Sequence, residues 1–299
     1  MNYISSLDLS EKQISELFSI SDSIAKSGTH PFSEPKRVLA LLFEKASTRT
    51  RVSFESAMSQ LGGSSIYIDS STSQISRGES ISDTARVLGM YVDAVAARMY
   101  KHSDIVELAR NSNVPVINAL TDLEHPCQAL SDVYTIRKEL GGVDGKRIAF
   151  VGDIAANTAN SLMVIASKMG ADISLVGPKG YRPNGKFVEA ARKRSSVDIS
   201  SSMKDGLKGC DVVYADTFVS MGQEAGASER MKLFCAYQLN ESSVKYAKKG
   251  VRVMHCLPAH RGVEITSDLL DGARSIVWKQ AANKLLLEKA ILLYLLQKK

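Results

Sequence analysis

Cysteine is scarce and scattered in this sequence. The four cysteines, Cys127, Cys210, Cys235 and Cys256, form no CxxC pair. Neither a disulfide framework nor a paired zinc site is suggested, and a reducing, intracellular setting fits better. Aromatic residues make up 6% of the chain and tryptophan occurs once. With no long basic run and little interleaving of aromatic with basic residues, no nucleic-acid partner is expected. Neither a Walker-A pattern nor a GxGxxG is present, which removes the common nucleotide cradles. The opening residues MNYISSLDLSEKQ lack a charged segment followed by an apolar run, so no signal peptide is expected. The most apolar late stretch, Leu285 to Leu296, is short and broken by Glu288 and Lys289. It reads as a buried helix and not as a membrane span, and a cytoplasmic location is expected.

What the chain does have is enough apolar sequence for a large interior. Its 299 residues are 44% hydrophobic and 23% charged, with a net charge of +6. One or two domains fit that size, and the mild basicity suits a small anionic substrate. Ser10-x-x-Gln13 has the form of a capping box, followed by Ile14, Leu17, Phe18 and Ile24 at helical spacing. Short apolar runs then alternate with helical patterns. Strands are expected at Val38–Phe43, Ile66–Ile68, Val92–Ala97 and Val114–Asn118, and helices at Arg49–Leu61, Asp83–Tyr91, Asp104–Asn111 and Gln128–Leu140. A second series has strands at Arg147–Val151, Ile173–Val176, Val212–Ala215 and Val251–His255, with helices at Asn157–Met169 and Ala281–Leu296. Such alternation implies an α/β fold of two domains, each a parallel β-sheet flanked by helices. The glycine-rich segment 141–145 is the expected junction.

Ligands of open parallel sheets sit beyond the carboxyl ends of the strands, so the residues after each strand are the ones to examine. Ser47-Thr48-Arg49-Thr50-Arg51 follows a strand and opens a helix. A helix start offers unpaired N–H groups and positive dipole to a phosphate, and an arginine can fork onto its oxygens. An ordinary Ser/Thr cap would have the same local pattern. In His125-Pro126-Cys127-Gln128, proline fixes the first helical position and leaves His125 in the preceding loop, able to donate to a carbonyl oxygen or simply to cap. Gly152-Asp153 followed by Asn157, Asn160 and Ser161 is a polar helix start. A polar loop runs from Asp216 to Glu224. The His-Cys-His order of His255-Cys256-Leu257-Pro258-Ala259-His260-Arg261-Gly262 invites a zinc reading, but neighbours on a strand point to opposite faces, and no second ligand pair lies near in sequence.

Taken together, these segments resemble one family. Phe43-Glu44-Lys45-Ala46-Ser47-Thr48-Arg49-Thr50-Arg51 is similar to the carbamoyl-phosphate signature of the aspartate and ornithine carbamoyltransferases. HPxQ, GDxxxN, DxxxSMG and HCLP follow in the family order over essentially the whole chain. The resemblance implies that Ser47, Thr48, Arg49 and Thr50 hold the phosphate of carbamoyl phosphate. It implies that Arg98, His125 and Gln128 contact the carbamoyl group, with Leu257, Cys256 and Arg261 completing that site. Asn157, Asp216, Ser220 and Met221 would take L-ornithine, and the catalytic set would be Arg98, His125, Gln128, Cys256 and Asp216.

Gln74, in a Ser-rich loop, matches a glutamine that in the family reaches the site of a neighbouring subunit, so a homotrimer or a multiple of trimers is implied. HCLP in place of HPLP, and the lack of a lysine between Asp69 and Glu79, favour ornithine over aspartate. Putrescine, lysine or an acylated ornithine is the alternative acceptor. Phe218 stands where the family usually has tryptophan, as a packing residue. No metal and no cofactor are implied. The domain limits expected are 1–142 and 143–280, with the C-terminal helix, 281–299, packing back on the first domain.

Overall fold

The computed structural model describes residues 1–28, 32, 36–219 and 226–297. Helix α1 (Glu11–Ser27) starts at Ser10, and both halves of the capping box form. Its stripe of Ile14, Leu17, Phe18 and Ile24 is buried. Then follow β1 (Val38–Phe43), α2 (Thr48–Gln60), β2 (Ser64–Asp69), α3 (Ile81–Tyr91), β3 (Ala94–Arg98), α4 (His102–Asn111), β4 (Val116–Leu120) and α5 (Pro126–Leu140). The four strands form one parallel sheet in the order β2-β1-β3-β4. Central β1 and β3 read VLALLF and AVAAR and are buried almost throughout, as parallel strands covered on both faces require. Beneath them Ala40, Leu42, Val95, Ala97, Ile105, Leu108 and Val116 share one core.

The second sheet is built from β5 (Arg147–Val151), α6 (Asn157–Lys168), β6 (Asp172–Val176), α7 (Gly185–Arg192), β7 (Val197–Ser200), α8 (Met203–Leu207), β8 (Val212–Ala215), α9 (Ala227–Phe234), β9 (Arg252–His255) and α10 (Ser267–Leu270). Its order is β7-β6-β5-β8-β9, again all parallel. The chain closes with α11 (Val277–Gln297).

Contacts divide the chain into two compact units, Met1–Leu130 with Asn283–Lys299, and Ser131–Ala282. The division falls inside α5 and α11, whereas the sequence suggests the 141–145 segment. Hydrogen bonding explains the position. Asp132 accepts from Tyr214 Oη at 2.9 Å and from Gln280 Nε2 at 2.7 Å, which fixes α5 from Ser131 onward to the second unit. The glycines expected at the junction instead turn the chain after α5, with Gly141 and Gly145 at φ 71° and 67°. The later part of α11 packs back on the first unit, where Tyr294 Oη accepts from Gln13 Nε2 at 3.1 Å.

Candidate active site

Strand order decides where each unit can hold a ligand. In the first sheet the winding reverses between β1 and β3, and a crevice opens at such a switch point. Phe43 pairs with Arg98, and Arg98 with Leu120, so the ends of β1, β3 and β4 lie side by side. The β1 end leads into α2, where the Ser47 hydroxyl caps the helix by accepting from Thr50 N. Thr50 is buried, while Thr48 and Arg49 are exposed.

Arg98 is buried, and burial, then the like charge of Arg49, lowers its pKa to about 10. It stays cationic at neutral pH, and an anion between it and Arg49 would relieve their mutual repulsion. The β4 end leads to His125, whose carbonyl accepts from Ala129 N at 3.1 Å in the first bond of α5. Burial, then Lys284 and Arg98, hold the His125 pKa well below its ordinary value. The imidazole is therefore neutral at neutral pH and can donate one hydrogen bond. Gln128 Oε1 accepts from Lys284 Nζ at 3.1 Å, which orients the amide.

The second sheet repeats the logic. Its winding reverses between β5 and β8. The β5 end leads through Gly152 and Asp153 to Asn157, the first residue of α6. Asp153 Oδ1 accepts from Ala155 N at 3.0 Å and shapes that turn. The end of β8 leads to Asp216, and Ala215 pairs with both Val151 and His255. Adjacent strands thus set Asp216 beside Cys256, whose Sγ donates to Asp216 Oδ1 at 2.9 Å. Burial, then Asp216, pushes the Cys256 pKa well above the ordinary thiol value, so the group is an S–H donor at neutral pH.

His255 faces the interior. Its Nδ1 accepts from Leu257 N at 2.8 Å, so Nε2 carries the proton and donates to the buried Glu264 at 3.1 Å. That bond supports Leu257, which sits at φ 57°, a left-handed conformation unusual outside glycine.

Comparison with known proteins agrees with this layout. Residues 1–138 match the aspartate/ornithine carbamoyltransferase carbamoyl-P binding domain, and residues 144–295 match the Asp/Orn binding domain. The chain belongs to the aspartate/ornithine carbamoyltransferase family. It is 46% identical over 285 residues to the anabolic ornithine carbamoyltransferase of Pyrococcus furiosus, covering 94% of this chain and 89% of that protein. It is 44% identical over 296 residues to the ornithine carbamoyltransferase of Bacillus subtilis, covering 97% and 92%. The solved ornithine carbamoyltransferase structure from Pyrococcus furiosus superposes with a TM-score of 0.94 at 42% identity, covering 100% of this chain and 97% of that one.

Not every residue of the family motifs joins these clusters. Arg51, the second arginine of STRTR, pairs with Glu55 at 2.9 Å and lies 3.7 Å from the centre of the Tyr67 ring. Arg261 is exposed and forks onto Asp271 at 2.5 and 3.1 Å. Gln74 sits exposed in a short 3-10 turn, Gln74–Arg77, after the edge strand β2. Ser220 and Met221 lie outside the described residues. Phe218 is buried and stacks on Phe234, as a packing residue does.

Lys284 and Glu264 are among the residues that the sequence motifs pass over. The signal for Lys284 was its i,i+4 spacing from Glu288 in an otherwise apolar helix. Glu264 gave no signal beyond lying in a polar loop. Among the described residues no group of three or more His, Cys, Asp or Glu side chains is placed to hold a metal, and no helix is long and apolar enough to cross a membrane.

Proposed function

We propose that this protein transfers the carbamoyl group of carbamoyl phosphate to the side-chain amine of L-ornithine, giving L-citrulline and phosphate. The Asp216–Cys256 pair carries the reading. A carboxylate at the strand end that faces the acceptor suits a cationic amine and repels a dicarboxylic one such as aspartate. Ser47, Thr48, Arg49 and Thr50 take the phosphate, and Arg98, His125 and Gln128 take the carbamoyl oxygen. Lys284 orients Gln128. Asn157 takes the amino-acid end of ornithine, with Ser220 and Met221, and Asp216 takes the amine.

The ornithine side chain arrives as an ammonium, since its amine resembles that of lysine. Asp216 accepts its proton, with the Cys256 S–H fixing the other face of that carboxylate. The freed amine attacks the carbonyl carbon, the oxyanion is held by Arg98, His125 and Gln128, and the bond to the phosphate oxygen breaks. Phosphate leaves with the bonding pair and takes the second amine proton, which leaves the new carbamoyl nitrogen neutral. No covalent enzyme intermediate is required, and orientation with fixed positive charge supplies most of the acceleration.

A homotrimer, or a multiple of it, with the Gln74 loop shared between subunits, is part of the proposal. Its support is the exposure of Val52, Ile66, Val87, Met90 and Tyr91 on α2, β2 and α3, the elements on either side of that loop. A cytoplasmic setting rests on the scattered cysteines. The deciding assay is citrulline formation from carbamoyl phosphate across an amine panel of ornithine, lysine, putrescine and aspartate. Ornithine should be preferred, and Arg98→Ala should lower turnover about a thousandfold. Faster carbamoylation of another amine would overturn the choice of acceptor.

A further inference from the structure

One guanidinium in the second unit is tied to three strand ends at once. Arg230, on α9, has Nη2 2.6 Å from Asp153 Oδ2, Nε 3.1 Å from the Phe218 carbonyl and Nη1 3.2 Å from the Tyr181 hydroxyl. These partners follow β5, β8 and β6 respectively. The planar group also lies 5.1 Å from the ring centres of Tyr181 and Phe234. Phe234 stacks on Phe218 and meets Tyr181 edge-on.

The packing continues to the turn itself. Gly152 has φ 119°, and a Cβ there would meet the Phe218 ring at 3.4 Å, so the two loops touch directly. The Asp153–Arg230 pair is mostly buried, with side-chain exposures of 3% and 15%.

We infer that Arg230 is a positioning residue for the amino-acid substrate: it holds the turn that presents Asn157 in register with the loop that presents Asp216. Asp153 divides its carboxylate between the two tasks. One oxygen shapes the turn into Asn157 by accepting from Ala155 N, and the other binds Arg230. Phe218, whose carbonyl Arg230 binds, lies two residues beyond Asp216. A lysine would keep the charge, but its donors all radiate from one nitrogen and it has no flat face to set against the two rings. Arg230 touches no reacting atom in this scheme. Its removal should therefore weaken capture of the acceptor more than the chemical step.

The inference rests on the proposed activity, and steady-state kinetics of Arg230→Ala and Arg230→Lys at saturating carbamoyl phosphate test it. The expected result is an ornithine KM raised about tenfold or more in the alanine variant, with kcat within about threefold. The lysine variant should recover part of that loss, and carbamoyl-phosphate binding, followed by calorimetry, should be unchanged in both. Tyr181→Phe, which removes one hydrogen bond and keeps the ring, should have a smaller effect in the same direction. An ornithine KM within about twofold of the parent in the lysine variant overturns the assignment, whether or not the alanine variant folds. So does a fall in kcat at constant KM, or an equal weakening of carbamoyl-phosphate binding. If the parent protein makes no citrulline, the proposed activity fails. If the parent is active and the variants do not shift KM, only the role of Arg230 fails.

Discussion

Burial keeps Cys256 a thiol. Its pKa is driven well above the ordinary value, Cys127 is driven up likewise, and Cys210 rises to about 11. Cys235 is exposed. Since the thiolate is the reactive form, limiting iodoacetamide near neutral pH should label Cys235 first and leave citrulline formation intact. Peptide mass mapping checks the order, and early labelling of Cys256 would contradict its place as a buried donor to Asp216. At this scale the candidate positions are legible as motifs, because the residues of STRT, HPxQ, GDxxxN and HCLP each share one loop. What could not be read was which neighbour turns inward. Arg49 and Arg51 are two residues apart on a helix, so they point in different directions. Only the fold shows that Arg51 is spent on Glu55 and Tyr67. The partner of Arg261 is equally invisible to a motif, since Asp271 is ten residues further along.

Helix α11 carries the least expected chemistry of any element. Glu288 is fully buried, 3.8 Å from Lys284 Nζ, and burial raises its pKa from 4.5 to about 7. The unfolded chain releases this proton at lower pH than the folded one does. Between those two values the folded state binds more protons, so stability falls as pH rises through the window and levels off above it. The loss amounts to about 3 kcal/mol. Glu288→Gln should abolish that component, so that melting temperatures at pH 5 and pH 8 lie closer together than in the parent. Identical pH dependence in both proteins would sink this reading. The sequence placed α11 and most central strands well, because long apolar runs and glycine stops are strong signals. It missed β7, α7 and α8. β7 is an edge strand with its middle residues exposed, and α7 and α8 are only 8 and 5 residues long, too short for a period to stand out in sequence. Helix α9 follows Gly226 in a left-handed conformation and has no side-chain cap to announce it.

Assembly is where the molecule as a whole can be questioned. If Gln74 serves a neighbouring subunit while Arg98 serves its own, variants Gln74→Ala and Arg98→Ala damage different halves of each shared site. Mixing the two inactive proteins under conditions that exchange subunits should restore activity at up to about a quarter of the sites. No recovery, despite exchange shown by mass spectrometry, would place both residues in the service of one chain.

The first six residues have a bearing on how the protein is handled. Tyr3 Oη donates to the Pro126 carbonyl at 3.1 Å, and buried Glu124 accepts from Ser5 Oγ at 2.5 Å and from Ser6 N at 2.7 Å. The segment 3–6 is thereby stitched to the loop that carries His125. Proteolytic removal of this segment, or Ser5→Ala with Ser6→Ala, would strip donors from an enclosed carboxylate and loosen that imidazole from a distance.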